Sequence, residues 1–160
     1  MDRVNKILQH PTYKACLRQI RMLEAERIFC GHDMAHFLDV ARLAYIFNLE
    51  EDRGVAKECI YGAALLHDIG RHIQYLEGIP HQEAGLPIAE EILKECGFTE
   101  KEREDMLEAI ARHRDASVKE EATLAGLIYR ADKASRGCFG CQAEKECNWS
   151  DEKKNLRITY

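Results

Sequence analysis

A chain of 160 residues has room for one domain with one sizeable hydrophobic core, but not for two. Hydrophobic residues make up 46% and charged residues 32%, which argues against wholesale disorder, and 28 acidic against 23 basic side chains give a net charge of −5, without the basic surplus of a generic nucleic-acid binder. Residues 1–6 lead into no signal-like apolar stretch and no apolar run is long enough to span a bilayer, so the expectation is a cytoplasmic protein that binds neither membrane nor generic nucleic acid.

Three prolines and ten glycines separate segments rich in Leu, Ala, Glu, Lys and Arg at helical spacing. The pattern predicts an all-α fold, a compact bundle of about six to seven helices. A short helix over 2–9 stops before Pro11. Residues 12–28 read as a longer helix with Cys16, Ile20, Leu23 and Arg27 on one side. Asp33 caps the next, whose apolar positions are Phe37, Val40, Ala41, Ala44 and Phe47. A fourth helix runs from Glu51 to about Asp68, ended by Gly70, and a loop follows to Pro80. Residues 81–96 form a helix closed by Gly97, Thr99 and Glu102 make a capping box for one reaching about His113, and 119–136 form the last. Residues 1–136 are expected to be the domain, with its motifs within 30–136. Residues 137–160 are expected to be an irregular tail, with Phe139 and Trp149 available to pack it back onto the helices.

The chemistry lies in where the histidines and aspartates fall. His36, the adjacent pair His67 and Asp68, His81, His113 and Asp132 each sit at or near a helix end beside an apolar stretch. A buried imidazole or carboxylate costs roughly 2–7 kcal/mol unless it is satisfied. One such residue reads as a hydrogen-bonded core group, whereas six at the ends of successive core helices satisfy one another most economically around metal ions. Consecutive helical residues diverge by roughly 100°, so His67 and Asp68 can share a centre only at a helix end, which Gly70 allows.

The order His36, His67–Asp68, Asp132 resembles the HD-domain superfamily of metal-dependent phosphohydrolases, over about residues 30–136. His32 and His36 both compete for the first position. His36 fits it, because the family's first histidine stands four residues before a core valine and eight before a small residue, as Val40 and Ala44 do; His32 becomes a neighbour of the site. His10 and His72 match no motif and read as surface or loop histidines. With His81 and His113 the chain resembles the subset that holds a second metal, which implies metal ligation by His36, His67, Asp68, His81, His113 and Asp132, with Asp68 bridging. The donors do not distinguish Fe, Mn, Ni, Zn or Mg, nor one ion from two. Arg71, Lys133 and Arg136 are the cations expected at the mouth for phosphate recognition, with Asp68, Arg71 and Lys133 carrying catalysis.

The resemblance implies hydrolysis of a small phosphorylated substrate, a nucleotide above all. It is nearest to the small HD hydrolases that split dinucleoside polyphosphates symmetrically, although Arg71 stands where those tend to carry Lys. Two other readings share the ligand set: an HD-fold di-iron oxygenase and a non-catalytic nucleotide-binding module. Seven cysteines and no export signal suggest reduced thiols. Cys138, Cys141 and Cys147 have the spacing C-x₂-C-x₅-C, a structural zinc site if another residue supplies the fourth ligand.

Overall fold

The computed structural model describes residues 1–160. It is all-α, with helices α1 (Asp2–Gln9), α2 (Pro11–Leu23), α3 (Met34–Glu50), α4 (Lys57–Leu66), α5 (Arg71–Glu77), α6 (His81–Glu95), α7 (Glu100–Arg112) and α8 (Leu124–Ala134). Short 3₁₀ turns cover Ala116–Glu120 and Cys138–Gly140. No helix is long and apolar enough to cross a membrane.

Helix α4 is the axis of the bundle. Its residues Ile60, Ala63, Ala64, Leu65 and Leu66 are fully buried, because it is apolar on every side and has neighbours on every side. α3 packs against α4 and α8, while α7 packs against α4, α6 and α8. The caps legible in the sequence are present: Asp33 accepts from the His36 amide at 3.0 Å, and Thr99 and Glu102 form a reciprocal capping box. Gly97, at φ +88°, follows the end of α6 as a left-handed C-terminal residue.

The boundaries differ where side chains reclaim the backbone. α2 ends at Leu23, which is 43% exposed, because the Glu24 carboxylate turns away to accept the His32 amide at 2.8 Å. Residues 51–56 are not helical: Asp52 takes a positive φ of 51°, and the Asn48 carboxamide bonds both the N–H and the C=O of Val55. The expected loop after Gly70 is α5, bounded by Gly78 at φ +77°. α8 begins only at Leu124, where the Thr123 hydroxyl caps the Gly126 amide, and a 3₁₀ turn occupies the residues before it.

The main chain of the turn between α4 and α5 meets that of α6. A Cβ placed on Gly70 would lie 2.3 Å from the His81 carbonyl oxygen and 2.5 Å from the Gly85 nitrogen, so only glycine permits this approach. The tail folds back through Asn155, which donates to the carbonyls of Lys133 and Arg136 at 2.6 and 2.9 Å, and through the Tyr160 ring, 4.7 Å from that of Phe47. Phe139 takes no part as an anchor, being 57% exposed.

Candidate metal centre

Helix ends bring the site together. His36 lies in the first turn of α3, His67 and Asp68 follow the last residue of α4, His81 opens α6, His113 follows α7, and Asp132 is near the end of α8. The turn after Leu66, closed by the Ile69 amide on the Leu66 carbonyl, lets His67 and Asp68 face one centre despite their adjacency. All six residues are buried.

Their ligand atoms gather in two groups: His36, His67 and Asp132 in one, and Asp68, His81 and His113 in the other. Asp68 stands between them. Its Oδ2 is 3.1 Å from His67 Nε2 and 3.6 Å from His36 Nε2, and its Oδ1 is 3.0 Å from His81 Nε2 and 3.7 Å from His113 Nε2. Asp132 Oδ1 is 3.5 Å from His36 Nε2 and 3.9 Å from His67 Nε2.

Every imidazole in these groups is tied at Nδ1. His67 and His113 donate to the carbonyls of Ala64 and Ile110 at 2.7 Å, and His81 donates to the Gln74 side-chain oxygen. His36 donates to Ser135 Oγ, whose own hydroxyl donates to the Asp132 carbonyl. Such outer bonds fix the tautomer and direct the Nε2 lone pair inward. Two consequences mark the centre as fit for cations. His67 Nε2 is buried with no hydrogen-bond partner, and the His81 and His113 Nε2 atoms face each other at 3.0 Å with lone pairs opposed. A divalent ion relieves both, and imidazole and carboxylate are the donors such ions take.

The electrostatics agree. Burial holds His36 down to about 4 and His113 to about 3, keeping both neutral, as ligands must be. Burial also disfavours the charge on His67, but the Asp68 and Asp132 carboxylates outweigh it and raise its affinity for a proton, the response of an imidazole placed where a cation belongs. Burial pushes both aspartates up, but His67 together with hydrogen bonds from His36 and His81 at Asp68, and together with Lys133 and Arg136 at Asp132, prevails over it, so both stay ionised.

The three expected cations line the rim. Arg71 Nε is 3.0 Å from Asp68 Oδ1, Lys133 Nζ 2.6 Å from Asp132 Oδ2, and Arg136 reaches Asp132 Oδ1 at 3.2 Å while donating to His36 Nε2 at 3.1 Å. A cleft of about 270 Å³ opens beside His36 and Arg136, walled by Ile28, Phe29, Gly31 and Gly137. Neither ligand group contains a cysteine, and all seven cysteines are free thiols. Cys138 is buried, and Cys141 and Cys147 are half-buried.

His32, placed by the sequence as a neighbour of the site, is held there by Glu24 and Tyr75, which escape the sequence. His32 is 4% exposed, with Nε2 3.7 Å from Asp68 Oδ2, closer to the centre than a bystander stands. Glu24 holds it from behind, and Tyr75 in turn donates to Glu24 at 2.5 Å. Burial pushes the Glu24 carboxyl up, but these hydrogen bonds prevail and set it at about 2. His10 and His72 are buried as well, not surface histidines. His10 caps α2 through Thr12 and bonds Glu95, and His72 bonds the Ile69 carbonyl.

An HD domain family model matches residues 34–137, most of the chain. An uncharacterized protein of Clostridium beijerinckii is 47% identical over 160 residues, the full length of both. The crystal structure of a predicted HD superfamily hydrolase from an uncultured Thermotogales bacterium superposes with a TM-score of 0.60 at 23% identity, covering 89% of this chain and 81% of that one, a likeness of fold.

Proposed function

The chain belongs to the HD domain family, and from that premise we propose that it is a metal-dependent phosphohydrolase cleaving a nucleotide or another small phosphate ester, with two cations held by His36, His67, Asp68 and Asp132 on one side and Asp68, His81 and His113 on the other. The observation that carries the reading is the unpartnered, buried Nε2 of His67 at the meeting point of two ionised aspartates. Cations bound there supply a water that is nucleophilic at neutral pH and neutralise charge on the phosphoryl oxygens.

The chain's own groups do the rest. Asp68 presents one oxygen to each group and so sets their spacing. Arg71 holds the Oδ1 side of that carboxylate and stands ready to turn a guanidinium edge to a phosphoryl oxygen. Lys133, 37% exposed, offers a mobile point charge at the rim. Arg136 offers a planar fork where the cleft meets the centre, so the leaving group's remainder lies along Ile28 and Phe29. Among small phosphorylated substrates, the resemblance of the six-residue set to the small HD hydrolases points to a dinucleoside polyphosphate, whose cleavage breaks a phosphoanhydride bond.

The test is metal analysis of protein purified without chelator or added metal, joined to a phosphate-ester screen with Mn²⁺, Fe²⁺ and Ni²⁺. Bound divalent metal and metal-dependent hydrolysis, read as released phosphate for an ester or as nucleotide products for a dinucleoside polyphosphate, support the reading. Turnover that needs iron, a reductant and O₂ and releases no phosphate overturns it in favour of an oxygenase.

A further inference from the structure

We propose that His32 is an additional metal ligand of this centre, joining the His36–His67–Asp132 group on the Oδ2 side of Asp68, with Glu24 and Tyr75 as its positioning residues. The inference rests on the metal-centre reading above and extends the donor set beyond the six motif positions.

His32 is built as the four motif histidines are. Its Nδ1 is tied outward, to Glu24 Oε1, and its Nε2 faces inward, 3.7 Å from Asp68 Oδ2, a separation close to the 3.6 Å between His36 Nε2 and the same oxygen. Its ring stands edge-on to His36 with centroids 6.0 Å apart. Two nitrogens at such distances from one carboxylate oxygen fall within the span that ligands of one ion occupy, given bond lengths near 2 Å.

The support behind His32 is more elaborate than pinning a loop requires. Glu24 takes both the ring N–H and, at 2.8 Å, the backbone N–H of the same residue, so the imidazole cannot turn without breaking the carboxylate's grip. Tyr75, from α5, donates a third hydrogen bond to that carboxylate at 2.5 Å. Glu24 is 9% exposed at its side chain and His32 3%. A carboxylate hydrogen-bonded to the far nitrogen is the arrangement that raises the basicity of a metal-binding imidazole and fixes its direction. Of the histidines facing Asp68, His32 alone has an ionised carboxylate behind it; the others rest on carbonyls, a carboxamide and a hydroxyl.

The experiment is cobalt(II) titration of the purified full chain stripped of metal, followed by visible absorption and calorimetry, with circular dichroism to check folding. His32→Ala is expected to weaken Co²⁺ binding by about ten-fold or more and to alter the d–d bands, because one donor leaves the first coordination sphere. Glu24→Gln, nearly isosteric, is expected to weaken binding less and to shift the same bands; it also carries the test should His32→Ala fail to fold. Wild-type affinity and an unchanged spectrum in a folded His32→Ala, or in Glu24→Gln where that variant carries the test, overturn the inference while leaving the metal centre standing. A wild-type chain that takes up no cobalt overturns both.

Discussion

Two polar clusters are buried or half-buried in this molecule, and they are built on opposite plans. At the N-terminal end, Arg3 bonds Glu58 at 2.8 Å and Glu102 at 2.6 Å, the terminal amine pairs with Glu58, and Glu102 also closes the capping box of α7. Two positive and two negative groups meet, and the cluster is complete in itself. In the centre between α3, α4, α6, α7 and α8, the imidazoles spend their N–H groups outward and turn lone pairs toward one another and toward two carboxylates. A core needs clusters of the first kind to close helix ends. The second kind is tolerable only for what it holds, and a buried polar group reads as functional when its partners all have the same need.

Asp68→Ala should show the sharpest separation. Loss of the one carboxylate shared by both groups is expected to lower turnover by about 10³-fold or more, whichever of Mn²⁺, Fe²⁺ or Ni²⁺ is supplied, as steady-state kinetics would read. Near-wild-type turnover with any of these metals would remove Asp68 from its bridging role. His81→Ala or His113→Ala should take metal content from two ions per chain toward one by elemental analysis, with partial rescue at high added metal. Unchanged content in both variants would make that pair a core contact like His10 on Glu95.

Lys133→Ala is expected to raise KM by about ten-fold, the worth of one charge-assisted hydrogen bond, with metal content unaltered. A fall in kcat alone would place the contact in the transition state instead.

The self-complete cluster should answer only in stability. Arg3→Ala is expected to leave metal content and kinetics unchanged and to cost about 1 kcal/mol, read as a lowered melting temperature; its guanidinium also lies 4.3 Å from the Phe98 ring centre. The pH dependence follows from Glu102, which the Arg3 guanidinium holds down at about 2 against an ordinary 4.5. A carboxyl depressed in the folded state contributes stability above its unfolded value and loses it as pH falls through the folded one. The melting temperature of the wild type should therefore fall more steeply than that of Arg3→Ala between about pH 4.5 and about 2.

What could be read from the chain and what could not divide along physical lines. The spacing of apolar residues placed α1, α3, α6 and α7, and the histidines and aspartates at or near the ends of α3, α4, α6, α7 and α8 marked the positions that now converge, because helix ends are where the backbone lets neighbouring side chains meet. α5 escaped because seven residues between Gly70 and Gly78 are too few to show a period, yet it carries Gln74 and Tyr75, which steady His81 and Glu24. Glu24 escaped because it read as the continuation of a helix, and only the fold brings its carboxylate to His32. Support of this kind is set by distance in space, and a sequence period carries no trace of it.

The contact of Gly70 with the His81 carbonyl and Gly85 has a mechanical consequence. Along that side the cage is gauged by main chain touching main chain, with no side chain to repack, so its width there is stiff. The cleft beside His36 is walled instead by Ile28, Phe29, Gly31 and Gly137, from irregular segments whose backbone is not locked in a helix. On the phosphohydrolase reading, substrates of different bulk are then accommodated by movement of the cleft wall, while the Gly70 side keeps the cage constant, in the manner of a vice with one fixed jaw.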